Sequence, residues 1–285
     1  MLEMPTWMLE EYNTAARTVK ARVDLDALEW LNLFEQGEGF RVRLVPNIRK
    51  EVVNTFSRLR SDRSKRYLIE SNDLGFRSGP LPPSKQPGTF RVAVFGDSSS
   101  FGWGVNQDDS LSSLLPRLLE KRYPGRKFEA VNFAIPGDSS EYGRLIFEKF
   151  AAQIDADLVI IGFGANDAKK VGASHQKQVD RFRTGMRTVQ IEKLLQRSSL
   201  IRVLSRLLRK EQNIEGAEKR ATPAVRLNRY RENLKFMASR SIEYGAKNSL
   251  LLNLCTPGNY SKVARKIANN AGFLYFNGQS YLLSQ

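Results

Sequence analysis

The chain has 285 residues, 41% of them hydrophobic, with one cysteine, one histidine and a net charge of +15. That length suits one large domain or two small ones, and no apolar stretch approaches the ~20 residues a membrane-spanning helix needs. The single Cys255 excludes an intramolecular disulfide and fits a reducing compartment; at the end of an apolar run it reads as a buried, inert thiol. Met1-Leu2-Glu3-Met4-Pro5-Thr6-Trp7 lacks the basic region and apolar core of a signal peptide, so the sequence predicts a soluble, cytoplasmic protein. The charge admits an anionic partner such as acidic glycan, anionic lipid or nucleic acid. A nucleic-acid binder would rest on charge alone and would bind with steep salt dependence; it is the least favoured class.

Residues 1–40 carry mixed helical patterning. The next stretch alternates apolar and basic residues, with Arg41, Arg43, Arg49, Lys50, Arg58, Arg60, Arg63, Lys65 and Arg66 forming one basic cluster. It runs into Asn72-Asp73-Leu74-Gly75-Phe76-Arg77 and then a Pro/Gly/Ser-rich loop from Ser78 to Gly88. Residues 1–89 are therefore predicted to be an N-terminal extension partly packed on a main domain that occupies residues 90–285.

From residue 90 the pattern becomes regular. Strands are predicted at Arg91–Phe95, Phe128–Phe133, Leu158–Phe163, Ser249–Leu254 and Phe273–Phe276. Amphipathic helices are predicted at about Ser110–Tyr123, Ser139–Gln153, Arg226–Tyr244 and Tyr260–Ala271. Short apolar strands alternating with helices imply βαβ units and a parallel sheet, and right-handed crossovers place helices on both faces. The fold class is α/β, a three-layer α/β/α sandwich with a parallel sheet of about five strands. A basic insertion spans about 170–225. In it Leu200, Val203, Leu204, Leu207 and Leu208 fall at helical spacing, with Arg202, Arg206, Arg209 and Lys210 opposite. This reads as a helix packed on the domain with a solvated basic face; a lid over the site and a membrane-surface helix are the sharper alternatives.

The first three predicted strands each end in a small polar loop containing glycine. These are Gly96-Asp97-Ser98, Ala134-Ile135-Pro136-Gly137-Asp138-Ser139 and Gly164-Ala165-Asn166-Asp167. In an open parallel sheet such loops lie side by side on the edge where ligands bind. Ser98 offers a hydroxyl nucleophile. Its backbone N–H, the N–H of Gly137 and the side-chain amide of Asn166 offer three donors for an oxyanion. Each residue has a plainer role open to it: Asp97 or Ser98 as a helix cap, Gly137 as a turn glycine, Asn166 as a cap. A phosphate-binding loop is disfavoured because no P-loop lysine follows Gly96, and no metal or organic cofactor is implied, since no His/Cys cluster has ligand spacing.

Taken together, Gly96-Asp97-Ser98, Gly137 and Gly164-x-Asn166-Asp167 resemble the nucleophile, glycine and asparagine blocks of the SGNH, or GDSL-type, serine esterases and acyl hydrolases. The flanking Phe101-Gly102-Trp103-Gly104-Val105 and Asn72-x-x-Gly75-Phe76-Arg77 are similar as well, and the likeness runs over about residues 70–280. The resemblance implies a flavodoxin-like topology and hydrolysis or transfer of an ester acyl group on a small-molecule, glycan or lipid ester. It also implies that Ser98 attacks while Gly137 and Asn166 hold the oxyanion. One block departs. The family carries Asp-x-x-His after the last strand, the histidine acting as general base, and no Asp-x-x-His occurs in this sequence. A C-terminally truncated chain is the first expectation, a catalytically impaired protein that binds an acylated glycan or lipid the second, and substitution by His175 as base the third.

Overall fold

A computed structural model describes residues 32–54, 65–81, 84–184 and 221–283, with the backbone alone for 181–184 and 282–283. The helix predicted around residues 200–210 lies outside the described residues. Four short strands open the described chain: β1 (Phe34–Gln36), β2 (Val42–Leu44), β3 (Arg49–Val53) and β4 (Arg66–Glu70). They form two antiparallel pairs, β1 with β2 and β3 with β4.

The main sheet comprises β5 (Thr89–Gly96), β6 (Lys127–Asn132), β7 (Leu158–Gly162), β10 (Asn248–Asn253) and β11 (Leu274–Asn277). Its spatial order is β11-β10-β7-β5-β6, with every neighbour parallel. Counting only these five strands, the order is 2-1-3-4-5, the flavodoxin-like arrangement. The chain reverses its direction of winding between β5 and β7, so the crevice beyond their C-terminal ends is the topological switch point. All five predicted strands and all four predicted helices are present, with ends shifted by at most three residues.

The connecting helices are α1 (Ser98–Phe101), α2 (Leu111–Arg122), α3 (Ser140–Phe150), α4 (His175–Thr184), α5 (Leu227–Glu243), α6 (Gly258–Ala271) and α7 (Gly278–Leu283). Alternate strand residues face opposite ways, and the core divides accordingly. Ala93, Phe95, Val159, Ile161 and Leu251 pack with α3, α5 and α6. Val92, Val94 and Ile160 pack with Leu111 and Leu115 of α2. The small pair β8 (Lys170–Val171) and β9 (Thr222–Pro223) joins the two ends of the insertion, Lys170 opposite Pro223 and Val171 opposite Thr222.

The segment before the sheet shares the sheet's core. Phe40, Val42 and Phe76 are buried with Phe133 and Phe150, and Phe76 meets the Phe133 ring edge-on at 4.8 Å. Leu44, Val52, Tyr67 and Ile69 bury Phe101 of α1, so the two antiparallel pairs support the loops that follow β5 and β6.

Candidate active site on the C-terminal sheet edge

The Gly-Asp-Ser turn is shaped by close approach. Gly96 ends β5 against β7, and a Cβ on it would lie 2.4 Å from Ser100 Oγ and 2.8 Å from the Gly162 carbonyl. Only glycine fits there without displacing a strand. Asp97 follows as the N-cap of α1, its carboxylate accepting the Ser99 N–H at 2.9 Å. Burial pushes the Asp97 carboxyl up to about 6, opposed by the Ser99 bond and the charge of Lys169. Ser98 is then the first residue of α1 and half-exposed. Its carbonyl accepts the N–H of Gly102, which caps α1, and that of Trp103 at 3.1 Å.

The loop after β6 is pinned to β5 by Ile135 N–H donating to the Gly96 carbonyl at 3.1 Å. Gly137 adopts φ +80°, a left-handed conformation in which a side chain is strained. The loop after β7 meets it directly: the buried Asn166 amide donates to the Asp138 carbonyl at 3.0 Å. Asp167 is wholly buried and accepts the Ser140 N–H at 3.1 Å and the Ser140 hydroxyl. Burial lifts the Asp167 carboxyl to about 7 against those bonds, and the nearby Asp97 adds to the rise. Asn233 of α5 donates to Ser140 Oγ at 3.2 Å and to Glu141 at 2.8 Å. Glu141 is paired in turn with Arg229 at 2.7 Å.

The three predicted donor loops thus stand on neighbouring strands in the order β6, β5, β7, with Gly137 and Asn166 joined through Asp138. Beside them a small cleft opens at the switch point, lined by Asp97, Ser99, Ser100, Gly162, Leu252, Leu254, Cys255 and Thr256. Cys255 is exposed on its rim, which corrects the expectation of a buried thiol. β10 ends at Asn253, so Cys255 sits two residues beyond the sheet, where no neighbouring strand covers it.

His175 goes elsewhere than to Ser98. It opens α4, its Nδ1 lies 2.9 Å from Ser139 Oγ, and its ring lies tilted against that of Tyr142, centroids 4.7 Å apart. Burial, with the charges of Arg41 and Lys169, lowers it to about 4, so the ring is neutral near neutral pH. Among the described residues no hydrogen bond links His175 to Ser98. Spacing along the chain placed His175 near the edge, and tertiary folding gives it to the glycine loop.

Two arginines complete the site, Arg41 from the basic cluster and Arg77 from the motif after it, and the sequence marked neither as a site residue. Arg41 donates from Nε and Nη2 to Asp138 Oδ1 at 2.9 and 2.7 Å and from Nη2 to the Pro136 carbonyl at 3.3 Å. Its guanidinium lies 4.8 Å over the Tyr142 ring. Arg77 is buried beneath the residues that follow α1. The one available signal was its place in the Asn72–Arg77 motif.

Residues 94–250, more than half of the chain, match the sequence model of the GDSL-like lipase/acylhydrolase family. No relative is found among curated proteins. Among solved structures the chain is similar to TesA, at 20% identity over 65% of this chain and 76% of that one, with a TM-score of 0.42. It is similar to AlinE4, an SGNH-hydrolase family esterase, at 13% identity over 67% and 77%, TM-score 0.42. A third is the lipase/acylhydrolase from Enterococcus faecalis, at 16% identity over 69% and 80%, TM-score 0.42. The family match rests on the sequence, and the fold on the sheet order described above.

Proposed function

The chain belongs to the GDSL-like lipase/acylhydrolase family, and from that premise we propose that Ser98 is the nucleophile of an ester-cleaving site on the C-terminal sheet edge. Ser98 Oγ attacks the ester carbonyl carbon, its proton leaves with the alcohol, and the alkoxy C–O bond breaks to give an acyl-enzyme. Water then adds to the acyl carbon, the Ser98 C–O bond breaks, and the carboxylic acid departs. The Ser98 and Gly137 N–H groups and the Asn166 amide hold the negative oxygen of each tetrahedral intermediate. The substrate is a small-molecule, glycan or lipid ester.

The observation that carries this reading is the bond from Asn166 to the Asp138 carbonyl. It draws the β7 loop onto the residue beside Gly137, in the loop after β6, the strand next to the one that leads to Ser98. The family match alone would leave those residues unassigned. Hydrolysis of p-nitrophenyl acetate by the wild-type chain, lost in Ser98→Ala, is the expected result. Equal turnover by the two proteins would overturn the role of Ser98.

A second reading is favoured by one observation, the engagement of the only imidazole with Ser139. In it the edge binds an acylated ligand without cleaving it. The two readings differ in magnitude: in a serine protease, loss of the general base leaves only about 10³–10⁴-fold acceleration over water. Turnover no faster than that, together with saturable ester binding, would favour the binder.

A further inference from the structure

We infer that Arg77 is a positioning residue for the Ser98 turn: its buried guanidinium spans the carbonyls that follow α1 and so fixes the backbone whose N–H groups hold the Ser98 carbonyl. The catalytic consequence rests on Ser98 being the nucleophile; the clamp itself does not.

The Asn72–Arg77 motif delivers the side chain. Asn72 Oδ1 accepts the N–H groups of Leu74 at 3.1 Å and Phe76 at 3.0 Å, and the Asn72 carbonyl accepts the Gly75 N–H at 3.0 Å. This tight turn sends Phe76 into the core and Arg77 toward α1. There Arg77 is 0% exposed. Nη1 donates to the carbonyls of Phe101, at 3.2 Å, and Gly102. Nη2 donates to the carbonyls of Val105, at 2.6 Å, and Leu68, at 3.2 Å, and Nε to Gln107 Oε1 at 3.0 Å. The guanidinium also lies 5.1 Å over the Phe101 ring.

All five acceptors are neutral, and no carboxylate takes part in these bonds. Burial lowers Arg77 only to about 10, so it stays charged at neutral pH. A buried cation with neutral acceptors contributes stability only if its acceptors are all in place. The chain from Phe101 to Val105 is thereby held at three carbonyls from one side. From the other side, Gly102 and Trp103 donate their N–H groups to the Ser98 carbonyl. Displacement of that short segment moves Ser98 with it. The planar five-donor fork is needed to reach acceptors this dispersed, and a lysine ammonium cannot span them.

Arg77→Lys keeps the charge and removes the fork. Expected are amide hydrogen exchange at Gly102 and Trp103 faster by about tenfold or more, with the amides of α3 unchanged. Acylation of Ser98 by a fluorophosphonate should slow by about tenfold to a hundredfold, with the loss in the acylation rate constant and not in the concentration for half-saturation. A folded Arg77→Lys protein with wild-type exchange at Gly102 and Trp103, or with wild-type acylation, would overturn the inference. If the wild-type chain is not acylated at all, the role of Ser98 fails, and exchange at Gly102 and Trp103 alone decides the clamp. If Arg77→Lys loses protection throughout, Gln107→Leu, which withdraws the Nε acceptor of Arg77 together with the long 3.4 Å bond from the Glu70 N–H, is measured instead. The same local rise in exchange then supports the clamp, and its absence overturns it.

Discussion

The Gly96-Asp97-Ser98 turn and the glycine loop are both held by an arginine from the N-terminal segment, and the two are held differently. Arg41 reaches the glycine loop through an ion pair, its side chain 10% exposed and its partner Asp138 1% exposed. Arg77 reaches the segment after the Gly96-Asp97-Ser98 turn through neutral oxygens and is wholly buried. Removing Arg41 would take the ion-pair partner from a buried carboxylate, whereas removing Arg77 would strand a set of carbonyls. The contrast teaches that net charge says little about this molecule's site. Of nine basic residues between 41 and 66, Arg41 works as an internal strut, and the second strut, Arg77, lies outside that cluster.

The largest effect expected at the glycine loop is on catalysis. Asn166→Ala removes a proposed oxyanion donor and should lower ester turnover by about 10²–10³-fold, read as kcat with thermal unfolding recorded alongside. A smaller loss, below about fivefold, would reduce Asn166 to its bond with Asp138. Breaking the ion pair should act on stability instead. Arg41→Ala takes the ion-pair partner from the buried Asp138 carboxylate and should cost about 3–5 kcal/mol of unfolding free energy in urea. An unchanged urea midpoint would show that the glycine loop does not depend on Arg41.

The pH dependence sharpens the comparison further. The folded-state values of Asp97, about 6, and Asp167, about 7, lie above their ordinary value of 3.8. Between about pH 4 and 7 the folded chain therefore binds more protons at these two groups than the unfolded chain, and their contribution to stability falls as pH rises. His175, lowered from 6.5 to about 4, acts in the opposite sense. Its contribution is complete above about pH 6.5 and is lost as pH falls toward 4. Asp97→Asn should flatten the decline between pH 4 and 6, and His175→Gln should steepen it, both visible in unfolding midpoints across that range. A pH response identical to wild type in both variants would contradict the burial of these groups. The smallest effect belongs to Ser100. Among the described residues its hydroxyl is buried without a hydrogen-bond partner, so Ser100→Ala should stabilise by up to about 1 kcal/mol, seen as a higher urea midpoint.

The same contrast explains what could be read from the chain. The sheet was legible because its strands are continuous apolar runs such as Val92-Ala93-Val94-Phe95, buried on both faces. The donor loops were legible because each strand ends abruptly in glycine and polar residues. β1 to β4 were missed because strands of only three to five residues, three of the four carrying arginine or lysine, look like charged loop. Arg41 and Arg77 were hidden for a different reason: their acceptors lie 95–97 and 9–30 positions away in sequence, and no local pattern marks an arginine that folds inward. His175 shows the same limit, since Ser139 is 36 positions away. Cys255 inherited the apolar character of the run before it, although the strand stops two residues earlier.

Covalent labelling of Ser98 tests the central claim most directly. Incubation with a fluorophosphonate, followed by intact-mass measurement and peptide mapping, should give one adduct on the wild-type chain, located at Ser98 and absent from Ser98→Ala. An adduct on another serine such as Ser139, or an unlabelled wild-type chain under conditions that label an active serine esterase, would contradict the assignment of Ser98 as the nucleophile.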